Sequence, residues 1–343
     1  MYNIVGIDIG TTEIKCTLVM INGLKYFWRK STPKVTTNVN NLEEVTFSPN
    51  AIWEIVYNLL EEIYLNFTKE NILVSIVSQA PSLCLWDDDG NNIGISYLSY
   101  YGNPIINTNE ARKYKAIKRI KLANTLFEKY GKGKISGITG YLVYQLSEHL
   151  TMDAVTAWEL GIENSKDADT IKEEIGVHSF PNIVAPIQKY GIKNMKFEKG
   201  YIIAGTTDSA ILPLSIFPEF SDYYIYLGSW GSLLKSNILE YKDYGKVYHK
   251  GDLHCWIISI ANFIDKVNNN PNFLETMFEK IAQKVTPCSR IAICGGLVFT
   301  KRDMINGLIS RYLPSQELVF MTSENVITGA CRLGYLSIKE VHE

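Results

Sequence analysis

Apolar and polar positions along this chain follow two periods, and each period predicts a different element. Short apolar runs rich in β-branched residues, typical of strands, occur at residues 3–9, 14–20 and 24–30, and the turn Gly-Thr-Thr-Glu separates the first two. From Ser48 the apolar residues change to helical spacing, and residues 72–77 form another apolar run. We therefore expect a β-meander, a helix and a buried strand at the start.

The middle of the chain mixes turn residues with helical patterns. Residues 83–98 carry two apolar runs around a polar Asp-Asp-Asp-Gly-Asn-Asn turn, which predicts a hairpin or another strand-turn-strand unit. Residues 101–136 are basic and polar and are expected to be helical between loops. Residues 138–150 have helical spacing, and Thr151 or Asp153 is expected to cap a further helical turn.

A short charged segment, Lys-Asn-Met-Lys-Phe-Glu-Lys-Gly, separates this half from a second β-rich series. We place the boundary there and predict two domains, residues 1–198 and 199–343. The second is expected to hold three strand-rich stretches, then a helix, a strand, a helix and a closing apolar segment, at residues 201–208, 223–237, 247–263, 272–285, 290–296, 302–313 and 323–338.

Two stretches share the order strand, small-residue turn, strand: residues 7–19 and residues 226–237. This similarity indicates an internal duplication. Both turns offer backbone N–H donors and hydroxyls that can surround a polyphosphate. Ordinary hairpins also use Gly-Thr turns, so the turn alone leaves both interpretations open. The residues concerned are Gly10, Thr11 and Thr12 in the first turn and Gly228, Ser229 and Gly231 in the second.

Asp8 favours the interpretation that the first turn binds a polyphosphate. It lies in the strand just before the first turn, where its carboxylate would repel a phosphate unless a hydrated cation came between them. The combination predicts a nucleotide bound with magnesium.

Composition and charge exclude several other functions. Apolar residues make up 46% of the 343 residues and charged residues 20%, which is enough apolar surface for about two folded domains. The 34 basic residues nearly balance 36 acidic ones, so an excess of positive charge for nucleic acid or anionic lipid is absent. The six cysteines form no Cys-x-x-Cys pair and indicate buried thiols. No leader or membrane-spanning pattern is evident, and we expect a cytoplasmic protein.

The motifs, taken in order, resemble those of the FGGY carbohydrate kinases, part of the actin, Hsp70 and hexokinase superfamily. Successive segments resemble that family's first phosphate hairpin, substrate-proximal strand pair, mid-domain helices, boundary segment, catalytic-base motif, second phosphate hairpin, adenosine-side turn and terminal helix, at residues 6–19, 78–91, 133–162, 181–191, 204–210, 227–234, 294–297 and 325–334. The order holds over nearly the whole chain.

This resemblance implies an α/β fold with two actin-like, ribonuclease H-like domains, a nucleotide cleft between them and a reduced second domain. It implies ATP-dependent phosphoryl transfer to a hydroxyl of a sugar or polyol, with Mg²⁺. Asp208 would be the general base, and Asp8 would hold magnesium through water. Lys15 matches a basic position of the family's hairpin. Dimers are common in the family, which leaves a homodimer open.

The remaining roles also follow from the resemblance. Thr11, Thr12 and Lys15 with Gly10 would meet the phosphates from one side and Gly228, Ser229 and Gly231 from the other, while Gly295 and Gly296 would let the adenosine approach. Gln79 would contact the acceptor. Here the chain departs from the family, because Ala80 and Pro81 stand where pentulose kinases have Met and His.

Two further departures keep other functions open. The usual Trp, Asp and Arg after the substrate-proximal pair are absent from Gly-Ile-Ser-Tyr-Leu-Ser-Tyr-Tyr-Gly-Asn-Pro, and the stretch between Asn237 and Cys294 is shorter than in ordinary members. A less covered cleft excludes water poorly. A nucleotide-binding regulator without turnover, or an ATPase that needs no acceptor, are therefore the alternatives to a sugar or polyol kinase.

Overall fold

The computed structural model describes residues 1–39, 42–79, 82–91, 96–100, 133–175, 179–216, 221–228, 231–237, 254–260, 263–322 and 324–339. The strands are β1 (Asn3–Ile9), β2 (Glu13–Val19), β3 (Lys25–Ser31), β4 (Lys34–Val39), β5 (Leu42–Phe47), β6 (Ile72–Ser78), β7 (Cys84–Trp86), β8 (Ser96–Tyr100), β9 (Lys134–Ser136), β10 (Thr151–Asp153), β11 (Asn182–Val184), β12 (Lys189–Gly191), β13 (Gly200–Ile203), β14 (Thr206–Thr207), β15 (Tyr223–Leu227), β16 (Gly231–Ser236), β17 (His254–Ile260), β18 (Arg290–Cys294) and β19 (Glu317–Phe320).

The helices are α1 (Pro49–Asn66), α2 (Ile138–Ser147), α3 (Ala154–Glu159), α4 (Ser165–Ile175), α5 (Leu212–Ser215), α6 (Phe263–Asn269), α7 (Asn272–Ala282), α8 (Leu297–Thr300), α9 (Arg302–Tyr312) and α10 (Asn325–Lys339). The expected opening meander, first helix and buried strand are confirmed as β1, β2, β3, α1 and β6. Ser48 caps α1, because its side chain accepts a hydrogen bond from the Ala51 amide. Asp153 caps α3 in the same way.

Two large sheets repeat one strand order. The first runs β12-β13-β6-β1-β2-β3, with β14 also paired to β6, and the second runs β17-β16-β15-β18-β19. Each sheet begins with an antiparallel meander of three strands, β1, β2 and β3 in the first sheet and β15, β16 and β17 in the second. Two later strands, β6 and β13 or β18 and β19, then lie parallel to the first strand of the meander and on its other side. This ribonuclease H-like order, present twice, confirms the α/β fold class and agrees with the internal duplication.

Sheet membership changes later in the chain than the sequence pattern indicates. β13 pairs with β6 and β12, and β14 pairs with β6, so the stretch after Lys199 still belongs to the first sheet. The second sheet begins only at Tyr223. The domain boundary between residues 198 and 199 stays a prediction. The chain passes from the first sheet to the second near residue 221.

Two local predictions need correction. Residues 83–98 contain two successive strands, β7 and β8, as the strand-turn-strand alternative predicts, but they do not form a hairpin, because β7 pairs with β9 and β8 pairs with β5. The described end of the stretch 101–136 is the strand β9 rather than helix, and residues 101–132 lie outside the described residues. Strand partners distant in sequence decide both cases. Local spacing does not contain that information.

Eight of the ten described helices lie in three layers around the two sheets. The outer face of the first sheet packs against α1 and α2, and the outer face of the second packs against the helices α6 to α9. Between the sheets lie α5 and α10, which contact each other. Leu333 of α10 belongs to the cluster on the first sheet, and Val326 of the same helix borders both that cluster and the one on the second sheet.

Helix α10 follows the second sheet in sequence but packs on β1 and β6 of the first. Its approach to β1 is close, since a Cβ atom added at Gly6 would lie 2.6 Å from the Cys331 Sγ and 3.1 Å from the Ile327 carbonyl oxygen. Glycine at position 6 therefore sets the distance between strand and helix. Within the part of the chain that the structure describes, no helix is both long and apolar enough to cross a membrane.

We expect Gly6→Ala to lower the free energy of unfolding by about 1–3 kcal/mol, because the added methyl group forces α10 away from β1. Gly307→Ala is the matched control. It lies in α9, where an added Cβ meets no atom within 4 Å, and it should raise stability by about 0.5–1 kcal/mol. Urea unfolding of both variants measures the difference. Equal stabilities would contradict the close contact.

Candidate functional site

The two acidic residues singled out from the sequence meet at one edge of the first sheet. Asp8 lies in register with Val77 of β6, and Val77 lies in register with Thr206 of β14. Asp208 follows β14 directly, and its backbone N–H donates to the Ser78 carbonyl oxygen at 2.7 Å. Because β1, β6 and β14 run parallel, their carboxyl ends share this edge, which is where sheets of this kind bind ligands.

Burial and mutual repulsion set the charge state of these carboxyl groups. Burial raises the pKa of Asp8, although Lys15, whose Nζ lies 3.4 Å from the Asp8 Oδ2, acts in the opposite direction. The pKa of Asp208 is raised to about 7, first by burial and then by the negative charge of Asp8. A carboxyl group with a pKa near neutrality can accept and release a proton at physiological pH.

This pair of carboxyl groups suits Mg²⁺, which takes only some of its ligands from protein, better than a metal ion whose ligands are all protein side chains. Among the residues that the structure describes, no group of three or more His, Cys, Asp or Glu side chains is arranged to hold a metal ion. Mg²⁺ is commonly bound by one or two carboxylates, with waters and phosphate oxygens completing its shell. Asp8, buried at a strand end near a second carboxyl, has the donor chemistry for that arrangement.

The first turn is held by β3 and the residue after it. The Gly10 N–H donates to the Glu13 carbonyl oxygen at 3.0 Å, and the Thr32 hydroxyl donates to the Gly10 carbonyl oxygen at 2.7 Å. The Thr32 N–H also donates to the Thr12 carbonyl oxygen at 3.0 Å. These bonds use the carbonyl groups of the turn and fix its shape, while Thr11 is half-buried and Thr12 is exposed.

The second turn is described only at its ends, because Ser229 and Trp230 lie outside the described residues. Gly228 lies against an aromatic ring, since a Cβ added there would come within 2.6 Å of the Tyr226 ring. A Cβ at Gly231 would overlap the Phe263 ring. Protein side chains therefore account for both glycines, and their contact with phosphate stays a prediction.

The turn after β18 packs directly on this second hairpin. Gly295 has a φ of +107°, and a Cβ there would overlap the backbone of Leu227, so only glycine fits. Gly296 differs, since a Cβ there would meet no atom within 4 Å. The structure thus brings the predicted adenosine-side turn beside the second hairpin and leaves open space at Gly296.

The second sheet also approaches Asp208. The pKa of the Cys294 thiol, at the end of β18, is raised to about 12 by burial and by the charge of Asp208. Cys294 lies beside Tyr226 of β15. Asp208 therefore lies between the carboxyl end of the first sheet and the inner face of the second.

Gln79, the predicted acceptor contact, lies at the same edge. It follows β6 directly, its backbone N–H donates to the Ile9 carbonyl oxygen at 3.1 Å, and its side chain is buried. Ala80 and Pro81 lie outside the described residues. The edge therefore collects Asp8, Lys15, Gln79 and Asp208, four of the residues selected from the sequence.

Sequence reasoning gave Asp153 only a capping role, but the structure also places it beside β14, the strand that leads to Asp208. Its carboxylate accepts from the backbone N–H groups of Val155 and Thr156, both at 3.1 Å, and the Thr139 hydroxyl lies 3.4 Å away. Helix α3, which it caps, packs on β14. Burial raises its pKa to about 6, partly offset by these hydrogen bonds.

Comparisons with known proteins support the fold. No family model and no curated protein matches the sequence. A xylulose kinase from Rhodospirillum rubrum has a TM-score of 0.69 at 13% identity, covering 98% of this chain and 90% of that chain. The Plasmodium falciparum glycerol kinase with ADP has a TM-score of 0.69 at 12% identity, covering 99% and 90%. A gluconate kinase from Lactobacillus acidophilus has a TM-score of 0.66 at 15% identity, also covering 99% and 90%.

These similarities show that the chain shares its α/β fold with these three solved structures, as the resemblance predicts. At identities of 12–15% these comparisons support the fold alone, and the chemistry of this chain depends on the residues of its own site.

Asp153 gives a prediction about stability and pH. A carboxyl whose pKa is raised to about 6 by folding stabilises the protein when protonated, and this contribution is lost as the pH rises from about 4 through 6. Asp153→Asn keeps an oxygen acceptor for the helix cap and removes the charge. Relative to the parent, we therefore expect the variant to gain about 1 kcal/mol between pH 5 and pH 8.

Thermal unfolding at both pH values measures this gain, and Asp153→Ala serves as the control that loses the cap at either pH. A stability difference between Asp153→Asn and the parent that does not change with pH would show that Asp153 titrates normally.

Proposed function

We propose that this chain is an ATP-dependent kinase of the FGGY type, which transfers a phosphoryl group to a hydroxyl of a small sugar or polyol. The observation that carries the proposal is the meeting of Asp8, Lys15 and Asp208 at the carboxyl edge of the first sheet, in a fold shared with sugar kinases. Nucleotide and acceptor would meet at this edge.

The residues of the two hairpins would hold the nucleotide. Thr11 and Thr12, with the N–H groups of the first turn and Lys15, would bind phosphate oxygens from one side. Gly228, Ser229 and Gly231 would face them from the second hairpin, and the open space at Gly296, beside Gly295, would admit the adenosine. Asp8 would hold Mg²⁺ through water, and the ion would offset the negative charge of the phosphates.

Asp208 would act as the general base. Its raised pKa is matched to removing a proton from a hydroxyl as that oxygen bonds to the terminal phosphorus and the bond to ADP breaks. The proton then resides on the Asp208 carboxyl until it is released to solvent. Gln79, buried at the same edge, would orient the acceptor. The division into domains 1–198 and 199–343 belongs to this proposal, with the nucleotide between them.

We expect Asp208→Asn to lose acceptor-dependent turnover by a factor of about 100 or more while ATP binding remains, because the change removes only the proton acceptor. Purified protein with ATP and Mg²⁺ is incubated with polyols, trioses, pentoses and hexoses, and ADP release is measured. The acceptor that stimulates the parent and not the variant identifies the substrate class.

Other outcomes of this assay decide between the alternatives. Undiminished phosphorylation by Asp208→Asn would show that another group is the base. Steady ADP release without any acceptor would indicate an ATPase. ATP binding by calorimetry without turnover against any acceptor would indicate a nucleotide-binding regulator.

We expect Gly10→Val to weaken ATP binding about tenfold or more, because the new side chain occupies the space that a phosphate needs. A Cβ at Gly10 would lie 3.1 Å from the Glu13 carbonyl oxygen, so the turn has to shift slightly, and thermal unfolding of the variant checks that the fold is kept. Gly191→Val, in β12, is the matched control, because its Cβ meets no atom within 4 Å. Calorimetry that gives one ATP affinity for both variants would place the nucleotide elsewhere.

A further inference from the structure

The duplicated fold assigns an equivalent residue to Asp8 in the second sheet, and that residue is Tyr226. Each lies in the central strand of its sheet, two residues before the glycine that opens the turn. Asp8 pairs with Lys15 on one side and Val77 on the other. Tyr226 pairs with Ser232 and Cys294 in the same way. The sequence motifs gave no role to Tyr226 or Ser232.

The Tyr226 side chain extends along its strand towards the tip of the hairpin. A Cβ atom at Gly228 would lie 2.6 Å from the Tyr226 Cε1, 2.7 Å from its Cζ and 2.7 Å from its hydroxyl oxygen. The hydroxyl end of the ring therefore covers the inner side of Gly228. A phosphate bound on this side of Gly228 would therefore lie near the tyrosine hydroxyl.

Ser232 supplies a second hydroxyl in the same row. Its side chain is fully buried, and its Oγ has no hydrogen-bond partner among the residues that the structure describes. Burying a hydroxyl without a partner costs free energy, so a ligand oxygen that reaches Ser232 would complete a hydrogen bond that the described residues leave unmade. Residues paired across neighbouring strands place their side chains on one face of the sheet, so Ser232 and Tyr226 share a face.

This face is the one that looks towards Asp208. Tyr226 packs at the margin of the cluster formed by Tyr224, Cys294 and Leu212 between the two sheets. Cys294, the lateral neighbour of Tyr226, is close enough to Asp208 for the Asp208 charge to act on its thiol. The row Ser232, Tyr226 and Cys294 thus lies opposite the row Lys15, Asp8 and Val77, with Asp208 between them.

We infer that the hydroxyls of Tyr226 and Ser232 bind oxygens of the terminal phosphoryl group of the nucleotide, opposite Asp8 and Lys15. The inference rests on the proposed function and adds to it two residues that recognise a triphosphate. We assign the two hydroxyls to the terminal phosphoryl group because their row adjoins Asp208, the proposed base. The base must lie next to the phosphorus that is attacked. Both hydroxyls can donate a hydrogen bond to an anionic oxygen without adding charge.

The test compares ATP with ADP, each with Mg²⁺ and without acceptor, by isothermal calorimetry. Tyr226→Phe removes the hydroxyl and keeps the ring over Gly228. We expect it to weaken ATP binding about tenfold and to change ADP binding less than about twofold, because ADP lacks the terminal group. Ser232→Ala is expected to act in the same direction, and its thermal stability should not fall, since the hydroxyl has no hydrogen-bond partner among the described residues.

Tyr224→Phe is the matched control. It removes a hydroxyl from the same strand and the same face, but this hydroxyl accepts from the Ser221 N–H at 3.4 Å. Its ATP affinity should equal that of the parent. Thermal unfolding of every variant checks that the fold is kept, and Ser232→Ala carries the test if Tyr226→Phe does not fold.

The outcomes separate this inference from the proposed function. If the parent binds ATP, Gly10→Val loses it and Tyr226→Phe and Ser232→Ala bind both nucleotides as the parent does, the inference is overturned and the kinase proposal stands. Equal loss for ATP and ADP would place the hydroxyls on another phosphate and also overturn it. A folded parent that binds neither nucleotide overturns both proposals.

Discussion

The close contact between α10 and β1 at Gly6 is the constraint on which the rest of this structure depends. The helix follows the second sheet in sequence, packs on the first through Ala330, Cys331 and Leu333, and reaches the second through Val326. With α5 it forms the only described helical layer that both large sheets share. The distance between the sheets, and hence the space in which their two hairpins face each other, is set by how closely this helix lies on β1.

The two halves have one topology and unequal chemistry. The row at the end of the first sheet contains an ion pair, Asp8 with Lys15, and Asp208 follows on the next strand but one. The equivalent row in the second sheet contains two hydroxyl groups and a thiol, those of Tyr226, Ser232 and Cys294, and burial raises the pKa of the thiol. A ligand with phosphates would thus meet an ion pair on one side and hydroxyl and thiol groups on the other. Placing every charge on one sheet avoids burying a second set of unpaired ions.

Much of the fold could be predicted from the sequence, because the strands β1, β2, β3 and β6 and the helix α1 follow from local periodicity and capping. Of the two alternatives for residues 83–98, the two strands are present but the hairpin is wrong, because β7 and β8 pair with β9 and β5, which are far away in sequence. For the same reason no local pattern shows that β13 and β14 belong to the first sheet. Asp8 and Asp208 were found from their motifs. Tyr226 was missed, although its spacing from the turn glycine equals that of Asp8.

The turn glycines also show what the sequence pattern alone does not predict. Gly228 and Gly231 were selected as turn residues that a phosphate approaches, but the rings of Tyr226 and Phe263 lie against them. Only the packed structure reveals which neighbour a missing side chain makes room for.

The place of α10 in the fold also has a consequence for synthesis on the ribosome. Part of the inner face of the first sheet, including Ile4 and Leu73, stays uncovered until residues 325–339 are made, because Gly334 of that helix lies against both side chains. The amino-terminal half is synthesised first, so this face of its sheet stays partly uncovered while the rest of the chain is translated. Nascent chains with uncovered apolar sheet faces are prone to aggregation and are typical clients of chaperones, so truncation before α10 should leave a protein that needs such help.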